Sequence, residues 1–140
     1  MESPPQSEEK LKNSLKELTS RSSGKSLPTV IREVNQRFGG WIQYFHMAQM
    51  IGRMQTIGQW LRRRLRCLRL KQCKRARAIA RFLMELGESK DSAYALGGSG
   101  KGWWRLADTP QAHRAMSLEW FKNEGLLDPE AFYLELRNAC

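Results

Sequence analysis

Residues 57–86 read IGQWLRRRLRCLRLKQCKRARAIARFLMEL, and two patterns run through them at once. Ile57, Leu61, Leu65, Leu68, Ala76, Ile79, Leu83 and Leu86 recur every three or four residues, apart from a gap at Gln72. That is the apolar stripe of a long amphipathic helix. Roughly opposite stand Arg63, Arg66, Lys74, Arg77 and Arg81, with Arg62, Arg64, Arg69, Lys71 and Arg75 on the flanks. One side of such a helix requires a protein core and the other an anion.

The distribution of charge sharpens the second requirement. No Asp or Glu occurs between Glu33 and Glu85, yet that interval holds 12 of the 24 Lys and Arg. The other 12 bases face all 14 acids, so this interval supplies the whole net charge of +10. A surface built only for solubility mixes its signs. A one-sided flank repels itself unless phosphates or another anionic surface neutralise it.

Working outward, the chain of 140 residues is expected to form one domain over residues 10–138, behind a disordered tail over residues 1–9 rich in Pro, Ser and Glu. Leu11, Leu15 and Leu18 mark a short first helix, and SRSSG at residues 20–24 a turn. A second helix begins at Ser26 or Leu27 with Pro28 in its first turn, where a missing N–H costs little. Its stripe is Leu27, Val30, Ile31, Val34 and Phe38. Gly39-Gly40 predicts a break or a kink, after which Trp41, Tyr44, Phe45 and Ala48 resume helical spacing. Trp41, Tyr44, Phe45 and Trp60 are assigned to the core.

Beyond Leu86, Gly87 closes the long helix, and Ser89 or Asp91 starts a short one through Leu96. GGSGKG at residues 97–102 is a loop, followed by Trp103, Trp104 and Arg105, with at least one Trp expected inside. Asp108 or Thr109 caps a helix that turns Ala112, Met116 and Trp120 inward and stops at Gly125. Asp128-Pro129 opens the last, with Phe132, Tyr133 and Leu136 on its apolar side. Period-two alternation is missing, so the fold class is all-α, a compact bundle of about five to seven helices.

Several function classes fall away. No run approaches the ~18 apolar residues of a membrane span. The segment MESPPQSEEK lacks the apolar core of a secretory signal. Cys67, Cys73 and Cys140 are too few and too badly spaced for a disulfide framework or a zinc site, which suits a reducing, cytoplasmic setting, bacterial or organellar. His46 and His113 stand alone, as interface or core histidines, and no paired-Asp motif for two metal ions is present. GGSGKG fails as a phosphate loop, because Ala95 stands where its first Gly belongs and Gly102 where Ser or Thr belongs. No catalytic residue, metal or cofactor is therefore assigned.

In order along the chain stand Leu18-Thr19-Ser20-Arg21, Gly40-Trp41 with Tyr44-Phe45, Trp60 before Leu61-Arg62-Arg63-Arg64-Leu65-Arg66, and Lys71-Gln72 with Lys74. Leu86-Gly87, Gly102 with Trp104-Arg105, Pro110, Ala115 and Gly125-Leu126 follow. This ordered set, over roughly residues 10–137, resembles the maturase-specific domain (the thumb, or domain X) of group II intron-encoded reverse transcriptases. Each piece alone is weak and the ordered set is specific. Such relatives often have Trp where Cys73 stands, and vary between Ser and Ala near Ala107; the lost aromatic bears either on packing or on a stacking contact.

The resemblance implies a helical bundle that binds structured group II intron RNA, helps it fold for splicing, and touches an RNA–DNA template–primer duplex. It implies a reverse transcriptase domain as partner in cis or in trans, and no membrane. The polymerase aspartates belong to a preceding palm that this chain lacks, so the chain is an excised domain, a free-standing protein or a non-functional remnant, and not itself an enzyme. The RNA-binding residues expected are Arg53, Arg62, Arg63, Arg64, Arg66, Arg69 and Lys71, then Lys74, Arg75, Arg77 and Arg81, and on the loop Lys101, Trp104 and Arg105. The helix cations would hold phosphates, and the loop would make a shape-dependent contact. Charge alone fits equally a basic helical DNA-binding or polymerase-accessory protein, and an amphipathic helix on a membrane surface fits less well because the core needs its apolar stripe.

Overall fold

The apolar spacing does produce helices, but the basic segment is not one rod. The computed structural model describes residues 4–20 and 24–139, and among them there are nine helices and no strand, an all-α fold. In chain order they are α1 Pro4–Leu18, α2 Leu27–Phe45, α3 Ile51–Cys73, α4 Ala76–Glu85 and α5 Lys90–Gly97. Then come α6 Trp103–Leu106, α7 Pro110–Ala115, α8 Leu118–Asn123 and α9 Pro129–Ala139. The expected turn at residues 20–24 lies partly outside the described residues.

The helix expected over residues 57–86 is broken between α3 and α4. Lys74 takes a left-handed φ of 68°, and Arg75 is extended at φ −103° and ψ 149°. The Lys74 N–H then bonds the Lys71 carbonyl at 3.1 Å, and that of Arg75 the Cys73 carbonyl at 2.8 Å, a tight turn in place of the helical ladder. Ala76, which continues the stripe in sequence, is exposed, while Ile79, Ala80 and Leu83 are buried. The chain has been re-aimed so that α4 buries its own face. A second split, at Met116, separates α7 from α8 where one helix was expected. These two breaks, together with the short helix α6 that was not expected, raise the count among the described residues to nine against five to seven.

Two other expectations are corrected in the opposite direction. Residues 4–9, read as a disordered tail, belong to α1. Ser7 accepts a hydrogen bond from the Trp41 indole at 3.0 Å, and Glu8 pairs with Arg53 at 3.0 Å, so polar anchors replace the missing apolar ones. Gly39-Gly40 does not interrupt α2, because Phe38, Trp41 and Ile42 are all buried and hold the helix through the pair. A Cβ on Gly39 would lie 3.8 Å from Leu127 and 3.9 Å from Phe132, ordinary contact, so the glycine marks where another segment packs on α2.

The chain divides into two compact units. The first unit comprises residues up to Leu61 together with Glu124–Cys140. Its helices α1 and α9 pack on α2, around Leu11, Leu15, Val30, Val34, Phe38 and Ile42. Burying each such side chain contributes about 1.5–3 kcal/mol before entropy is subtracted. Asn35 bonds the Gly125 carbonyl at 2.7 Å and the Leu127 N–H at 2.8 Å, pinning the segment that leads into α9. The Tyr133 hydroxyl donates to the Ala48 carbonyl at 2.5 Å and accepts from the Met50 N–H at 3.2 Å, fixing the turn between α2 and α3. Trp41 is buried as expected, but Phe45 and Trp60 are half-buried, and Tyr44 is 64% exposed with its edge against Phe45.

The second unit is Arg62–Asn123. Within it α4, α5 and α7 pack on one another around Ile79, Leu83, Ala93, Leu96 and Ala112. Helix α5 starts at Ser89, whose hydroxyl accepts from the Ser92 N–H, and α7 at Thr109, whose hydroxyl accepts from the Ala112 N–H. The expected caps are therefore at work in both helices. Glu88 is clamped by Arg114 at 2.8 and 3.1 Å and takes a bond from the Ser92 hydroxyl at 3.0 Å. The Arg114 bond holds the Glu88 carboxyl below the usual carboxylate range.

Candidate nucleic-acid interface

The second unit contains most of the expected cations, and its structure sorts them into two populations. Arg63, Arg66 and Arg69 follow one another at intervals of three along α3, and each lies over an aromatic ring of the same unit. The Arg63 guanidinium is 4.0 Å from the centroid of Trp104, that of Arg66 is 5.4 Å from Phe121, and that of Arg69 is 4.2 Å from Phe82. Flat guanidinium groups suit such stacking, which contributes ~0.5–2 kcal/mol according to desolvation.

Arg66 is the clearest departure from expectation. It is 4% exposed and donates from Nε to the Met116 carbonyl at 2.8 Å. Met116 follows α7, so this bond satisfies a carbonyl that the end of a helix leaves orphaned and stabilises the split between α7 and α8. Burial pushes the Arg66 pKa down to about 10, with the neighbouring charge of Arg62 acting in the same direction. It remains a cation at neutral pH, and it faces inward. Arg66 is therefore held inside the second unit, where its charge serves the protein's own packing.

Arg63 is also committed to protein. Its Nε and Nη2 donate to the Trp104 carbonyl at 3.0 and 2.7 Å, and Nη1 lies 3.8 Å from Asp108. Asp108 also bonds His113 at 2.8 Å, and that bond, followed by the charge of Arg63, holds its carboxyl below the usual range. His113 is thus exposed and bonded to Asp108, not a core histidine. Arg69 adds a 3.6 Å contact to the Cys73 sulfur, and burial pushes the Cys73 thiol up. Arg62 and Arg64 are half-buried and each is engaged with a neighbour. In the first unit, Arg53 is taken up by Glu8.

The remaining cations form the other population. Lys74, Arg75, Arg77 and Arg81 are all exposed, and none has a salt bridge to a described residue; Lys71 beside them is half-buried. They cluster on the turn between α3 and α4 and along the first two turns of α4. That helix has no acid in its first turn and no side-chain cap, so its positive end adds to the same field. Among the described residues no salt bridge neutralises this corner, which includes the left-handed Lys74.

The loop cations Lys101 and Arg105 are exposed, Lys101 just before the short helix α6 and Arg105 within it. Trp103 is half-buried and Trp104 is 38% exposed, so Trp104 is the more exposed of the pair. Sequence reasoning missed the coupling of this loop to α3. Arg63 and Trp104 lie 41 residues apart, and no local spacing signals their contact. Among the described residues no group of three His, Cys, Asp or Glu could hold a metal ion, and no helix is long and apolar enough to cross a membrane.

No curated protein matches the chain. The family model described as the group II intron, maturase-specific domain matches residues 9–86, which include most of α1, then α2, α3, the exposed cationic turn and α4. That span exceeds half of the 140 residues, and the chain belongs to the group II intron maturase-specific domain family.

Proposed function

We propose that this protein binds group II intron RNA and assists its folding for splicing, without catalysis of its own. The observation that carries the proposal is the uncompensated cluster of Lys74, Arg75, Arg77 and Arg81 in a chain of this family. Four mutually repelling charges next to a helix N-terminus are costly in isolation and favourable against phosphates, whose condensed counterions are released on contact. Lys71, Lys101 and Arg105 extend the same surface role. Phosphate contacts of this kind position a protein on folded RNA without reading its sequence.

As a thumb, the protein would also follow an RNA–DNA template–primer duplex, working with a reverse transcriptase domain in cis or in trans. A general DNA-binding protein would use the same cations, and affinity separates the two. Binding of the full chain to structured group II intron RNA is expected to exceed binding to duplex DNA of equal length at matched salt. Equal affinity for the two would overturn the RNA assignment.

A further inference from the structure

We propose that Trp104 is a stacking platform for one unpaired nucleobase, and that Arg63 is the residue that positions it. The inference rests on the RNA-binding role proposed above and adds a class of ligand to it. Trp104 is 38% exposed. The Arg63 guanidinium lies over the indole at 4.0 Å, and two hydrogen bonds from the same group hold the Trp104 carbonyl at 2.7 and 3.0 Å. Ring and backbone are therefore fixed by one planar cation, itself held near Asp108 at 3.8 Å.

A ring with a cation over one face, on a side chain still partly exposed, can take a second flat group. Bases stack on such faces whatever their identity, whereas a paired base offers its face only to its neighbours in the helix. Lys101 and Arg105, both exposed and within three residues of Trp104 in the chain, would supply cations for the phosphates of a splayed nucleotide. The site therefore selects loops, bulges or ends of RNA over continuous duplex.

The test titrates the full chain, at one salt concentration, with a labelled RNA hairpin carrying an unpaired loop and with a blunt RNA duplex of equal phosphate count. The wild type is expected to prefer the hairpin. Trp104→Ala should weaken hairpin binding about tenfold, the order of one lost base stack, and leave duplex binding unchanged. Trp104→Phe should keep most of the preference, because a smaller face still stacks, while removing the part of the indole quenching that the hairpin causes. Arg63→Lys keeps the charge but not the flat group, and should lose preference for the hairpin alone. Unchanged hairpin affinity in Trp104→Ala, or equal loss of both RNAs, would overturn the proposal. A wild type that binds both RNAs without discrimination would also sink the stacking site and leave the phosphate clamp standing. A wild type that binds neither would remove the RNA-binding role itself.

Discussion

Two residues with the same sequence signature, Arg66 and Lys74, end in opposite circumstances. Arg66 threads its stem through the second unit and gives its charge to a carbonyl. Arg66→Ala should cost roughly 2–4 kcal/mol, from lost stem packing and an orphaned buried acceptor. Arg66→Met, which keeps much of the stem, should cost less. Urea unfolding checks both, and near-wild-type stability combined with weakened RNA binding would return Arg66 to the phosphate-binding set. Lys74 carries left-handed strain of ~1–2 kcal/mol, which glycine would not feel. Lys74→Gly should therefore raise stability by roughly 0.5–1 kcal/mol after the extra backbone entropy of glycine is subtracted, and lower RNA affinity at the same time. A variant that loses stability instead would mean that the turn is held by the lysine side chain.

Helices were legible where their apolar residues met a local cap or stop. The start of α2 at Leu27, the Ser89 and Thr109 caps and the start of α9 all follow from nearby residues. The break between α3 and α4 has no Gly or Pro to announce it. The gap at Gln72 was its one trace, and resumption of the stripe at Ala76 concealed it. The inward arginines were illegible for a different reason. Arg63, Arg66 and Arg69 look like Arg62 and Arg64 in sequence, and their partners lie 41, 50 and 13 residues further on. Close packing of α4 against α5 has its own signature in Gly97, where a Cβ would fall 2.5 Å from the Ala76 carbonyl oxygen. Backbone cannot yield as a side chain can, so Gly97→Ala should destabilise the protein by roughly 1–3 kcal/mol. A thermal melt unchanged by that substitution would show that α4 and α5 are free to separate.

At the scale of the whole molecule, the net charge of +10 is not spread evenly, and much of its densest stretch is spent internally. Arginines on α3 are engaged inside the second unit, while the cations from Lys74 to Arg81 have no salt bridge to a described residue. Counting cations along the chain would therefore overstate the number of phosphates bound. The decisive measurement is the salt dependence of affinity for group II intron RNA, in the wild type and in the variant with Lys74, Arg75, Arg77 and Arg81 all replaced by Gln. With about five phosphates neutralised, wild-type affinity should fall by roughly two to three decades between 50 and 200 mM salt. The variant should stay folded, bind weakly at low salt and show a slope shallower by ~3 in log–log units. An unchanged slope in the folded variant would contradict the account, because the phosphates would then be held elsewhere.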